Sequence, residues 1–108
     1  MKHKIVLVPF PFDDFSAAKV RPAVCLTDKI GKYHHIVIAF ITSQIPKDKT
    51  ESDITLETTD ETGLKIKSVL RLHRITTIPA ELIQRKLGQL PKIKEEELKE
   101  KLSKLFGI

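Results

Sequence analysis

The sequence predicts a small, mostly antiparallel β barrel closed by one C-terminal helix. Two observations carry this prediction. Six short segments rich in apolar and β-branched residues follow one another at close spacing, separated by turn residues. Only the last stretch, KIKEEELKEKLSKLFGI, has a helical period: Leu98, Leu102, Leu105 and Phe106 fall at i, i+4, i+7 and i+8. A chain of 108 residues has surface enough to bury one core, so residues 1–108 are expected to form a single domain.

The first strand is expected over 4–10 (KIVLVPF), where Val and Ile dominate. RPAVCLT (21–27) follows a polar loop, and HHIVIAFIT (34–42) follows the turn DKIGKY, whose Gly31 suits a positive φ. SDITLET (52–58) alternates Ile54 and Leu56 with polar neighbours, as a half-buried strand does. After the turn TDETG comes KSVLRLHRI (67–75), with Val69, Leu70 and Leu72 as its inward candidates. LIQRKLGQL (82–90) is the last candidate strand, preceded by a short helical turn at IPAE opened by Pro79. The helix is placed at 94–106. Pro91 stands at its approach, glutamates fill its first turns, lysines its end, and Gly107 stops it. Two polar loops, 11–19 and 43–51, separate strands one from two and three from four, and loops on a rigid barrel are where function is usually carried.

Composition narrows the class. Hydrophobic residues make up 41% of the chain, as in a globular protein. The longest apolar runs, IVLVPF and HIVIAFI, fall far short of the roughly 18 residues a membrane span needs. The N-terminus lacks the small-residue cleavage site of a secretory signal, so a cytoplasmic location is the expectation. Cys25 is the single cysteine, which excludes an internal disulfide and a cysteine-based zinc site. It alternates with Ala23 and Thr27 and is expected as a buried, reduced thiol. The net charge of +5 suits a nucleic-acid partner. Charge alone does not decide, because many lysines lie among the glutamates of the terminal helix. His3, His34, His35 and His73 show no ligand spacing, and Asp13-Asp14 reads as turn chemistry more readily than as a Mg²⁺ site. No Gly-rich phosphate loop is present. No metal and no cofactor are expected.

Two features remain. Arg21 directly precedes Pro22, which forces its backbone to extend and projects the guanidinium from the first residue of a strand. A salt bridge to Asp13 or Asp14 is an equal reading of the same residue. The second feature is Thr42, Ser43 and Gln44, which end an otherwise apolar strand, as at any strand-to-loop transition.

Taken together, KIVLVPFPFDDFSAAKVRPAVCL, IVIAFITSQI with its basic loop, and SVLRLHRITTI followed by LIQRKLGQL resemble the MazF/PemK toxins, closest to the PemK-like branch. The resemblance spans nearly the whole chain in order. It implies an SH3-like barrel and a metal-independent endoribonuclease cutting single-stranded RNA to a 2′,3′-cyclic phosphate and a 5′-hydroxyl. It also implies a homodimer, silenced by a cognate antitoxin that would link the pair to operator DNA. By the same resemblance the catalytic arginine maps on Arg21 and the catalytic threonine on Thr42. Lys19, Lys47 and Lys49 would meet phosphates, Ser43 and Gln44 would read base edges, Phe15 would stack on a base, and Ser16 matches a loop serine. Relatives commonly carry Gly-Asp where this chain has His3-Lys4, and glutamine and arginine where it has Arg74 and Thr76. Two rival readings share the fold: a CcdB-like toxin that acts by protein contact on gyrase, and an RNA-binding module that does not cleave. Retention of both Arg21 and Thr42 favours the nuclease.

Overall fold

The computed structural model describes residues 1–9 and 19–108. The strands are β1 (Lys4–Pro9), β2 (Val20–Cys25), β3 (His35–Thr42), β4 (Asp53–Leu56), β5 (Ser68–Pro79) and β6 (Arg85–Gln89). They form one antiparallel sheet in the order β4-β5-β3-β2-β1-β6, curled into a half-barrel. The helix α1 (Lys92–Phe106) follows. The fold class is the one the sequence predicts.

The near-continuous apolar runs of β1 and β3 have a physical reason. These central strands are buried on both faces, so alternation is suppressed. Ile5, Val24, Ala39 and Ile41 point to one core, which Leu64, Leu90 and Leu98 of α1 complete. Val6, Val8, Ala23, Cys25, Ile38 and Phe40 point to a second, against which Met1, Ala80 and Ile83 pack. Cys25 is free and buried, and its burial pushes the thiol up to about 11. Val69, Leu70 and Leu72 are all buried, as expected.

Several boundaries differ from expectation: β2 spans Val20–Cys25 rather than 21–27, β4 stops at Leu56, and α1 begins at Lys92 rather than 94. β5 continues to Pro79, because the polar pair Thr76 and Thr77 still pairs with Ile38 and Val37 of β3. The short helical turn falls at Ala80–Leu82 with Pro79 as its N-cap, as expected, but β6 begins only at Arg85. The helix stripe is also shorter than its period suggests. Leu98 is buried and Leu102 packs on the core, but Leu105 and Phe106 are exposed. α1 is held against β4 and β5, where Lys101 donates to the Asp53 carbonyl oxygen at 2.7 Å, and its last turn runs past this contact. That turn closes in a Schellman motif: Gly107 takes φ 69°, and Ile108 N–H reaches the Ser103 carbonyl at 2.9 Å.

The far edge of the sheet is pressed tight. The turn between β4 and β5 is organised by Thr62, buried, whose hydroxyl donates to the Glu57 carbonyl at 2.9 Å. Gly63 takes φ 70°, and a Cβ there would overlap the Leu87 carbonyl; a Cβ on Gly88 would overlap the Glu61 carbonyl. Only glycine permits this approach of two backbones.

Candidate active site

The sequence opens the sheet between its central strands, β2 and β3. β2 pairs with β1 along its length, Val8 opposite Arg21 and Leu7 opposite Pro22, but its pairing with β3 starts only at Ala23. Pro22 has no N–H to offer a second ladder, so β2 and β3 part at that residue. The β3–β5 ladder is interrupted at the same level. Between the pairs Ala39–Ile75 and Ile41–Leu70, one residue of β3 faces four of β5. There β5 turns to β4 instead, with Arg71 opposite Asp53.

The parting leaves a pocket of about 410 Å³. Among the described residues it is lined by Arg21 and Pro22 from β2, by Phe40, Ile41 and Thr42 from β3, by the loop residues 43–46, and by Arg71 and Arg74 from β5. Arg21 and Thr42, distant in sequence, therefore face one cavity, and two further arginines share it.

The side chains are held in different ways. Arg21 is half-buried at the start of β2. The Thr42 hydroxyl accepts the Gln44 N–H at 3.1 Å, an ST-turn that shapes the loop, while the Gln44 carbonyl lies at 3.4 Å. Arg71 donates from Nε to Asp53 Oδ1 at 3.1 Å, and Asp53 Oδ2 accepts the Thr50 N–H at 2.9 Å. The Asp53 side chain is only 2% exposed, so this pair fixes the plane of the Arg71 guanidinium and anchors the loop behind it. His73 shares a hydrogen bond with the Ser52 hydroxyl at 3.0 Å and is not among the pocket residues.

Ser43 and Gln44 line the pocket as expected. Lys19, Lys47 and Lys49 are exposed and lie outside its lining, and Lys49 donates instead to the Thr55 hydroxyl at 3.2 Å. Phe15 and Ser16, with Asp13 and Asp14, lie outside the described residues. Val8, at the start of VPFPF, is fully buried on β1, and residues 10–12 of that segment lie outside the described residues. Sequence reasoning missed Arg71 as a pocket residue and met Arg74 only as a departure. The bulge that turns both inward leaves no mark on the alternation of VLRLHRI. Among the described residues no three His, Cys, Asp or Glu side chains come together, and no helix is long and apolar enough to cross a membrane.

The family profile described as "PemK-like, MazF-like toxin of type II toxin-antitoxin system" matches residues 2–106. The chain belongs to this family. Solved structures agree on the PemK/MazF fold. The Mycobacterium tuberculosis toxin MazF-mt6 is 22% identical over 97% of each chain, with a TM-score of 0.77. An endoribonuclease in complex with its cognate antitoxin, from a mycobacterial species, is 9% identical, covers 100% of this chain and 95% of its own, and has a TM-score of 0.77. MazF from Deinococcus radiodurans is 16% identical, covers 99% and 96%, and scores 0.72. No curated protein matches. At these identities the structures speak for the fold of the PemK/MazF chain, and its residues speak for the chemistry.

Proposed function

We propose that this PemK/MazF toxin is an endoribonuclease that cuts single-stranded RNA without a metal, by attack of the ribose 2′-hydroxyl on the adjacent phosphorus. The observation that carries the reading is the meeting of Arg21 and Thr42, from two strands that part beside them, in one cationic pocket. RNA supplies the nucleophile, so the protein needs no serine or cysteine of its own. The bond formed is 2′-oxygen to phosphorus, the bond broken is phosphorus to 5′-oxygen. The products are a 2′,3′-cyclic phosphate and a 5′-hydroxyl.

The task left to the protein is to stabilise a phosphorane. Arg21 does this with a planar fork of donors, each charged hydrogen bond contributing about 1.5–3 kcal/mol. Thr42 accepts from Gln44 with one lone pair, so its own hydrogen is available to a non-bridging phosphate oxygen, and the 3.4 Å contact to the Gln44 carbonyl is easily given up. Arg71 and Arg74 line the cavity beside them, the charge of Arg71 balanced by the buried Asp53. Ser43 and Gln44 stand on its rim to meet base edges. Lys19, Lys47 and Lys49, outside the lining, would steer the RNA from a distance rather than grip the scissile phosphate.

The same reading covers partners and place. The protein acts as one domain over residues 1–108, in the cytoplasm, as a homodimer held inactive by its cognate antitoxin, which connects the pair to operator DNA. Exposed apolar residues on and after α1 (Ile93, Phe106 and Ile108) support an assembly larger than the monomer. The test is to incubate the protein with an RNA and its 2′-deoxy counterpart in EDTA and map the ends. Cutting of the RNA alone, with cyclic-phosphate and 5′-hydroxyl ends, is expected. Cutting of both, or loss of cutting in EDTA, would exclude the mechanism. A folded protein that cuts neither would point to one of the two non-catalytic readings.

A further inference from the structure

The end of β3 opposite Thr42 carries a second concavity, of about 620 Å³, around the turn joining β2 to β3. The turn is tight. Ile30 and His35 exchange two backbone hydrogen bonds of 2.8 and 3.0 Å, and both Gly31 and His34 take positive φ, 69° and 53°. A non-glycine residue in that region is uncommon. The result is a short hairpin with Lys32 and Tyr33 at its tip.

Tyr33 is 72% exposed, so it is not a core anchor. Its ring lies 5.9 Å from Lys32 Nζ and 6.2 Å from the His35 ring, tilted by 43°. Lys29 and His34 line the same hollow, and Glu81 is the acid among the lining residues. Asp28 does little to offset the lysines. Its carboxylate accepts the Met1 amino group at 2.8 Å and the Lys2 N–H at 2.9 Å, and these bonds hold it below the usual carboxylate range. An exposed aromatic face among cations is the arrangement that binds single strands without regard to sequence: cations follow the backbone and the ring stacks on a base.

We propose that this hairpin is an accessory site for single-stranded RNA, in which Lys29 and Lys32 hold phosphates and Tyr33 stacks on a base of the same RNA that Arg21 engages. The inference rests on the nuclease reading of the first pocket. The eight residues of β3 separate the two sites by about 23 Å at ~3.3 Å per residue. A stacked strand rising ~3.4 Å per nucleotide covers that span in about seven nucleotides, and a fully extended one in about half as many. An RNA too short even when extended cannot occupy both sites, and one longer than the stacked span can.

That length dependence is the test. Binding and cutting are measured on mixed-sequence RNAs of about three and about thirty nucleotides, lengths chosen to fall below the extended span and above the stacked one. The intact protein is compared with Tyr33→Ala and with Lys29→Ala/Lys32→Ala, all three checked for the same melting temperature. Tyr33→Ala is expected to weaken the long RNA about fivefold or more and leave the short one unchanged. The lysine pair is expected to lower the slope of log affinity against log salt by about 1.4 for the long RNA, two phosphates at ~0.7 each. Long-RNA affinity that neither change moves would overturn the proposal. So would polyglutamate binding as tightly as the long RNA with Tyr33→Ala weakening neither. Absence of cutting by the unaltered protein would refute the nuclease reading alone, because the binding arm reads the hairpin separately.

Discussion

Two seams of this sheet are built on opposite uses of the backbone. At the Gly63–Gly88 seam, where the turn after edge strand β4 meets edge strand β6, two glycines let the turn lie directly on the strand, carbonyl against α-carbon. At the Arg21–Thr42 seam, between central strands, a proline ends one ladder and a bulge interrupts another, and the strands separate. The first seam has no room for a methyl group; the second holds a cavity of about 410 Å³ lined by three arginines. Curling a sheet onto itself and opening a site in it are thus local decisions, made by single residues whose backbone chemistry differs from the average.

The closed seam is the more easily broken. Gly63→Ala combines a positive φ with overlap on a backbone carbonyl that has no flexible end to move, and Gly88→Ala adds the same overlap from the facing strand. Each is expected to cost about 3 kcal/mol or more, read as loss of a cooperative thermal transition near that of the unaltered protein. A melting temperature within a degree of the original would mean that the two backbones are not pressed together.

At the open seam the expected loss is of activity. Arg21→Ala should lower the cleavage rate by about 10²–10³, the scale for removing one donor to a developing oxyanion, while the melting temperature stays near the original. Arg21→Lys should recover only part, since an ammonium cannot make the paired planar contact. Cleavage at the original rate by Arg21→Ala would make Arg21 a partner of the loop and not of the phosphate. Thr42→Ala should cost less, about tenfold, and combines loss of a phosphate donor with loss of the ST-turn. Thr42→Ser retains the hydroxyl for both roles and should keep most of the rate; a serine variant as slow as the alanine one would count against the hydroxyl as the working group.

The smallest effect lies away from both seams. Glu97 is paired with Lys101 at 3.0 Å and Lys94 at 3.3 Å. Its partial burial would raise its pKa, but the hydrogen bond from Lys101 and the charge of Lys94 outweigh that and hold it below the ordinary glutamate value. A carboxylate lowered on folding stabilises above its unfolded pKa, and that contribution is lost as pH falls through the folded one. Glu97→Gln should therefore cost about 0.5 kcal/mol at neutral pH, and the gap between the two proteins should close in thermal scans below the ordinary glutamate range. A gap that persists at low pH would assign the loss to packing.

The parts of this molecule that were legible in sequence are those where side chains decide. β1 and β3 announce themselves as long apolar runs because both their faces are buried. α1 is announced by its period and by Gly107. What escaped is decided by pairing across the sheet. Thr76 and Thr77 look like a loop until β3 supplies their partners. Leu105 and Phe106 complete a stripe that the sheet is too short to cover. Arg71 and Arg74 reach the pocket through a bulge, and a bulge is a mismatch between two strands that neither shows by itself. Arg21 and Thr42 were singled out by the family resemblance of the segments around them, since a charge before a proline and a threonine at a strand's end are ordinary by themselves, and the pocket gives those positions a common wall.

The lone thiol on β2 has a use that concerns time rather than structure. Cys25 is enclosed at the centre of the sheet, opposite Ile38, with its ionisation pushed up to about 11. Near neutral pH it is almost entirely protonated and out of reach of any reagent, so an alkylating agent can react only in the moments when β2 leaves its neighbours. The chain thus carries its own clock. The rate at which Cys25 is consumed counts the openings of the central strands, and comparison of that rate with and without a bound partner measures how firmly the partner holds them shut.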